Sequence, residues 1–275
     1  MFSIIIPTLN NLTYLKLCIE SIKKNSRYKH EIIPHVNIGT DGTLEYLKKN
    51  NIKFTYTKEN SGICKGMNLA AKESKNEYIL YAHDDFYFCP DWDLILKNEI
   101  DKIGHNLFYL SGTMMHKGQI NFNCGNSFED FDEKKFLSNY KDYNYYDFQG
   151  STWAPHLIHR DIWNKVEGFS EEFYPGTGSD PDLNMKLWKL GVRIFKGIND
   201  FKVYHFGSIS MRKKDDIIKN DGTKTFLKKW GITPKFFFKY YLRTGKKFDG
   251  LLNEPNKNLF FYFELLVCKI KKSLS

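Results

Sequence analysis

Tyr78-Ile79-Leu80-Tyr81-Ala82-His83-Asp84-Asp85 opens as an apolar strand and ends on two adjacent carboxylates. A short apolar run closed by polar residues is the pattern of a buried strand. Two carboxylates side by side at its end repel each other unless a cation or a basic group neutralises them. Oxygen ligands of this kind, completed by substrate phosphates and water, describe a magnesium or manganese site. A solvated turn is the other reading; the strand before the pair and Phe86-Tyr87-Phe88 after it favour a site.

Working back from that strand, the chain alternates two periodicities. Phe2 to Ile6 is a β-branched run ended by Pro7, and Asn10 is placed to cap a helix carrying Leu12, Leu15, Ile19 and Ile22 at helical spacing. Glu31 to Asn37 reads as a strand in which Pro34 demands an edge position or an irregularity. Thr43 to Lys49 reads as a helix, Ile52 to Tyr56 as a strand and Gly62 to Ser74 as a helix. This order predicts a mostly parallel sheet with helices on both faces. Ligands of such sheets bind beyond the C-terminal ends of the strands. The loops Pro7-Thr8-Leu9-Asn10, Asn37 to Gly42 and His83-Asp84-Asp85 should therefore share one edge.

Forward of the strand, Trp92 to Ile103 is a helix and Leu107 to Met115 a strand, and Asn126 to Gln149 reads as a long loop rich in Asp, Tyr and Phe. Thr152 to Ile158 and Val203 to Phe206 are further strand candidates. Pro181 to Leu190 is a helix closed by Gly191, and the chain from Lys213 onward looks helical, broken at Pro234 and Pro255.

Three other stretches could carry chemistry. Gly39-Thr40-Asp41-Gly42-Thr43 is either a plain turn or a backbone that approaches an anion at a helix N-terminus. In Ser179-Asp180-Pro181-Asp182, Asp180 either caps a helix whose first position is Pro181 or serves as a general base at a cleft rim. A helix N-terminus would tend to lower its pKa. His205, at the end of a strand-like stretch, is either a hydrogen-bonded structural residue or a ligand for a divalent cation.

Taken in order, these segments resemble family 2 glycosyltransferases with the GT-A fold. The likeness runs through Ser3 to Asn10, Gly39 to Thr43 and Glu59-Asn60-Ser61-Gly62, with Asn68 and Ala71 downstream. It continues in Tyr78 to Asp85, Gly168 to Phe173, Ser179 to Leu183 and His205, and so covers roughly residues 1 to 210. The resemblance implies that Pro7, Thr8 and Asn10 line a nucleotide pocket, and that Asn37 stands where the family usually places an Asp on the uracil or ribose. Lys65 and Asn68 would lie near base and phosphates, and Asp41 and Asp84 would complete the donor-binding set. Asp85 matches the last acid of the family's Asp-x-Asp metal motif, His205 its late metal ligand, and Asp180 the base. Three departures stand out: His83 replaces the first acid of that motif, the acid-rich turn is shortened to Asn37-Ile38-Gly39, and Ser179 replaces the Glu before the base.

The expectation is an inverting, Mn²⁺- or Mg²⁺-dependent glycosyltransferase taking a UDP-linked sugar to a saccharide or lipid-linked acceptor. A nucleotidyltransferase and a non-catalytic nucleotide-sugar-binding relative are the alternatives. Residues 1–105 would form the nucleotide-binding half and 106–210 the acceptor-binding half, with Trp153 and Tyr140 to Phe148 touching acceptor or packing in the core. Residues 211–275 would be a basic helical extension.

Composition fits this reading. The 275 residues are 41% hydrophobic and 27% charged, ordinary for a globular chain long enough for one large α/β domain. The formal charge of +9 suggests an anionic partner. Much of the excess lies in Arg212-Lys213-Lys214, Lys228-Lys229, Lys246-Lys247 and Lys269 to Lys272. Nucleic acid is not expected, because the acidic loops would repel its phosphates. The five cysteines include no Cys-x-x-Cys pair, so a cytoplasmic location is expected, with peripheral membrane contact through Asn258 to Lys272.

Overall fold

The computed structural model describes residues 1–207 and 220–274. At its centre lies β1 (Phe2–Leu9), flanked by β2 (Glu31–Asn37) and β4 (Tyr78–Tyr81), with β3 (Thr55–Thr57) beyond β2. These four strands are mutually parallel. Phe2, Ile4, Ile5 and Ile6 are all buried, so β1 is covered on both faces and its apolar run is continuous rather than alternating. Helix α1 (Leu12–Asn25) packs near β5 (Phe86–Phe88), and α3 (Gly62–Lys72) lies across β1 and β2.

Pro34 is accommodated because β3 is short. Its pairing begins at His35, so the N-terminal half of β2 has a strand only on the β1 side. The short α2 (Thr43–Lys49) follows the Asn37 loop.

The rest of the sheet is mixed. Its order is β3-β2-β1-β4-β8-β6-β9-β5, built from β6 (Phe108–Met115), β8 (His156–His159) and β9 (Ile194–His205), with β7 (Phe148–Gln149) also pairing β9. The parallel arrangement expected of most of the sheet holds across the first four strands and between β6 and β9. β8 is antiparallel to both β4 and β6, while β5 and β7 are antiparallel to β9. Two reversals restore direction, so β6 and β9 run the same way as β1. The C-terminal ends of β1, β2, β4 and β9 therefore meet on one edge, which is why His205 lies near Asp85 although the two are 120 positions apart in the sequence.

The expected long loop holds more structure than its composition suggested. It contains α5 (Glu133–Asn139), capped by the Asp132 side chain accepting from the Lys135 N–H, and the strand β7. Phe122, Phe136 and Tyr140 form a second apolar cluster with Tyr204 and Phe206. Trp153 stacks on Phe148 at 5.0 Å, and its Nε1–H donates to the Gly112 carbonyl at 3.2 Å, an arrangement of packing rather than of an open acceptor wall.

Helix α4 (Trp92–Ile103) packs on β9, and α6 (Arg160–Lys165) follows β8. Helix α7 (Ser179–Leu190) ends at Gly191 as expected. Beyond residue 219 come α8 (Gly222–Trp230), α9 (Pro234–Phe237) and α10 (Leu259–Ser273). Arg212-Lys213-Lys214 lies outside the described residues. Phe226, Phe237, Leu242 and Phe261 belong to the same apolar core as the sheet, so the extension is packed onto the domain.

Asp182 ties the two together. It is fully buried and accepts from Ser170 Oγ at 2.6 Å and Trp230 Nε1 at 2.8 Å, with Lys229 Nζ 3.0 Å away. A buried donor left without its acceptor costs about 1–3 kcal/mol, so Asp182→Ala is expected to lower stability by about 3 kcal/mol, read as a shift of the urea midpoint.

Candidate active site

A cleft of about 260 Å³ opens at the shared strand edge. Its floor is Pro7, Thr8 and Leu9 at the end of β1, Asn37 at the end of β2, and His83, Asp84 and Asp85 after β4. Asn60, Gly62 and Ile63 line it together with the adjoining Pro175-Gly176-Thr177. Gly62 is required there. At φ +74°, a Cβ would sit 2.7 Å from the Tyr174 ring and 3.0 Å from the Pro175 carbonyl. Ile63 N–H donates to that carbonyl at 2.9 Å and fixes the wall.

Three polar groups at the β1–β2 end point to a ligand. Thr8 Oγ1 is buried with no hydrogen-bond partner among the described residues. The Asn37 side chain is oriented by a backbone N–H: Oδ1 accepts from Ser61 N at 2.8 Å, Ser61 Oγ at 2.9 Å and Thr57 Oγ1 at 3.2 Å. A backbone N–H can only donate, so the amide oxygen is identified and Nδ2 is the face left for the cleft. Asn60 is set the same way, its Oδ1 accepting from Gly62 N at 3.0 Å. This wall offers N–H donors.

The other end, two strand spacings or about 10 Å away, is acidic and metal-like. His83, Asp85 and His205 place one ligand atom each within 4.8 Å of one another. His205 Nε2 lies 3.6 Å from Asp85 Oδ2, is buried and has no hydrogen-bond partner among the described residues. Its Nδ1 lies 3.2 Å from the Lys117 carbonyl, which assigns the proton to Nδ1 and leaves the Nε2 lone pair facing the cleft. Pairing of Phe86 with His205 across β5 and β9 sets this juxtaposition. Burial lowers the His83 pKa to about 4, so its ring is neutral, the state that ligates. His83 Nε2 lies 3.0 Å from Tyr81 Oη. This triad fits a divalent cation, and Asp84 is buried beside it.

Asp180 stands three positions after Thr177 of the cleft lining. Helix α7 starts at Ser179 with Gly178 as its cap, so Asp180 sits inside the first turn rather than capping it. Its carboxylate makes no hydrogen bond to the described residues. Burial pushes its pKa up to about 7, outweighing the lowering expected of a helix N-terminus. Burial first, and then the Asp180 charge, raise the pKa of both Tyr81 and Tyr109. Tyr81 thus lies within electrostatic reach of Asp180 and also touches His83 of the triad.

The sequence-derived candidates divide. Pro7, Thr8, Asn37, Asp84 and Asp85 line the cleft, and His205 joins it through the triad; Asp180 is not among the lining residues. Asn10, Asp41, Lys65 and Asn68 do not line it. Asn10 bonds Thr40, its Oδ1 accepting from Thr40 N at 2.9 Å. Asp41 is spent on local structure, accepting from Thr43 N–H and, at 2.8 Å, from Leu12 N–H, so that it serves helix α1 in the place expected of Asn10. Asn68 clamps the Phe169 backbone through both its amide groups, and Lys65 is exposed. Missing from that set were His83 as a ligand, Tyr81 and Asn60. His83 had a signal, since it stands beside the acid pair at a strand end.

The family model for glycosyl transferase family 2 matches residues 3–163. Chondroitin synthase of Pasteurella multocida is 27% identical over 231 residues, covering 80% of this chain and 22% of that protein. The chain thus spans about a fifth of the length of that relative. Among solved structures, Staphylococcus aureus TarS 1-349 in complex with UDP superposes with a TM-score of 0.56 at 19% identity, over 74% of this chain and 59% of that one. GalNAc-T7 with UDP, GalNAc and Mn²⁺ does so with 0.61 at 13% identity, over 86% and 49%.

Proposed function

The chain belongs to glycosyl transferase family 2 and has the GT-A fold, and on that premise we propose that it is an inverting enzyme moving a sugar from a nucleoside diphosphate donor, UDP-linked by preference, to a hydroxyl of a saccharide or lipid-linked acceptor. The observation that carries the reading is a ligand triad at the cleft floor, with a separate raised-pKa acid within electrostatic reach of Tyr81, which touches His83 of that triad. The solved relatives that hold UDP or UDP-GlcNAc support the donor class.

The roles follow from position. Thr8, Asn37 and Asn60 hold the nucleoside end of the donor, residues 1–105 forming that half. His83, Asp85 and His205 would hold Mn²⁺ or Mg²⁺ for the diphosphate. When bound, a divalent cation there offsets charge developing on the leaving diphosphate. Asp180 takes the proton of the acceptor hydroxyl as it attacks the anomeric carbon from the face opposite the leaving group, which inverts configuration. The acceptor enters from residues 106–210, and Asp84 adds negative potential that favours the cation over a bare phosphate.

Incubation with a panel of nucleotide sugars and saccharide acceptors tests this. Release of a nucleoside diphosphate with a β-linked product from an α-linked donor is expected. Release of pyrophosphate, or donor binding without any turnover, would remove it.

The donor-only wall gives a second test. Asn37→Asp keeps an acceptor for Ser61 and Thr57 but replaces the N–H facing the cleft by a carboxylate oxygen. A pyrimidine carbonyl at that position would lose a hydrogen bond and meet a like-polarity atom, so UDP affinity should fall by about tenfold. Calorimetric titration of UDP measures it, and an unchanged affinity would remove Asn37 from the base site.

A further inference from the structure

We propose that α10 lies in the plane of an anionic lipid surface, with Leu259, Phe263, Leu266, Ile270 and Leu274 entering the bilayer interface. Helical geometry, at 3.6 residues per turn, sets these five on one line along the helix. The opposite face is the packed one. Phe261 and Cys268 are buried there, and the Phe261 ring stands 5.0 Å from both Phe236 and Tyr240. The outward stripe is therefore fixed by the domain, with its five side chains 51% to 83% exposed. Scattered apolar residues on a surface are ordinary, whereas a contiguous stripe of this size marks an interaction face.

Charge identifies the occupant. Glu264 is the one acid in the helix, and it is paired with Lys239 of the preceding segment. Lys269 and Lys271 lie in the last turns, and Lys235, Lys239, Arg243 and Lys246 line a neighbouring hollow. An apolar stripe with lysines beside it suits acyl chains below and anionic headgroups at the sides. A second copy of the chain would bring lysines against lysines. No helix among the described residues is long and apolar enough to cross a membrane, so α10 lies on the surface.

Co-sedimentation of the full chain with vesicles tests this without any sugar donor, so its result is separate from that of the transfer assays. Binding is expected to phosphatidylcholine vesicles carrying about a third phosphatidylglycerol, at least about tenfold stronger than to phosphatidylcholine alone. Raising salt from about 0.1 to about 0.5 M should weaken it. The double variant Phe263→Ser, Leu266→Ser should lose about tenfold in binding with unchanged circular dichroism, since both side chains face outward. Failure of the wild type to bind anionic vesicles would overturn the proposal. So would undiminished binding by the double variant, which would mean adsorption by charge alone. A concentration-dependent dimer that the same pair abolishes would assign the stripe to a second copy.

Discussion

Asp180→Asn is expected to lower kcat for sugar transfer by about 10²–10⁴-fold, the range for loss of a general base, with donor affinity held within about twofold. The substitution is nearly isosteric and breaks no hydrogen bond to the described residues. What it removes is the ability to accept a proton. The same residue sets a pH limb. Burial raises its pKa to about 7, so the acid is protonated and idle below that value, and kcat should rise as pH passes through it. Stability moves the other way. A folded-state pKa above the unfolded value favours the neutral form, so this contribution is complete at low pH and is lost as pH rises through about 7. The asparagine variant should therefore match or exceed the wild type in stability at alkaline pH. Measuring nucleoside diphosphate release against pH, alongside thermal melts, checks both limbs. A kcat within tenfold of wild type would take the base role from Asp180.

The first half of the fold was readable because its central strand is a continuous apolar run followed by an amphipathic helix, as in β1 and α1. The second half departs from that grammar. β5, β7 and β8 run only two to four residues and pair antiparallel with strands distant in sequence, so neither period nor neighbours announce them. Phe86-Tyr87-Phe88 is the clearest instance, an aromatic run after the acid pair whose partner is the end of β9. That pairing, invisible in the sequence, is what carries His205 to Asp85. The site candidates separate for a related reason. Residues such as Thr8, Asn37 and Asp85 stand at strand ends on the edge that topology picks out, and the family resemblance singled them out there. Asn10, Asp41 and Asn68 are polar residues near the same edge, but their side chains satisfy backbone groups, Asn68 at both ends of its amide, and spacing cannot distinguish such service from ligand contact.

The identity of residue 83 bears on the cation. A site of two imidazoles and one carboxylate is chemically unlike one of two carboxylates. Mg²⁺ prefers oxygen ligands in a near-ideal octahedron, whereas imidazole suits transition metals. His83 is held neutral by burial, and His205 presents Nε2 because its Nδ1–H is anchored on the Lys117 carbonyl. Mn²⁺ should consequently bind at least about tenfold tighter than Mg²⁺, and transfer should be correspondingly stronger with it. His205→Ala, which removes one of three ligands, should cost more than the 10–100-fold in metal affinity that loss of a supporting group costs. His83→Asp is the informative exchange. It restores a hard oxygen ligand beside Asp84 and Asp85, so the affinity gap between Mn²⁺ and Mg²⁺ should narrow. It also sets three carboxylates together, which repel strongly without a cation. The variant should therefore be less stable than wild type in chelator and recover on adding Mg²⁺. Mn²⁺ paramagnetic resonance titrations, Mg²⁺ competition and melts with and without chelator read each of these directly. Equal affinities for the two ions in the wild type would mean that His83 stays with Tyr81 and takes no part in holding the ion.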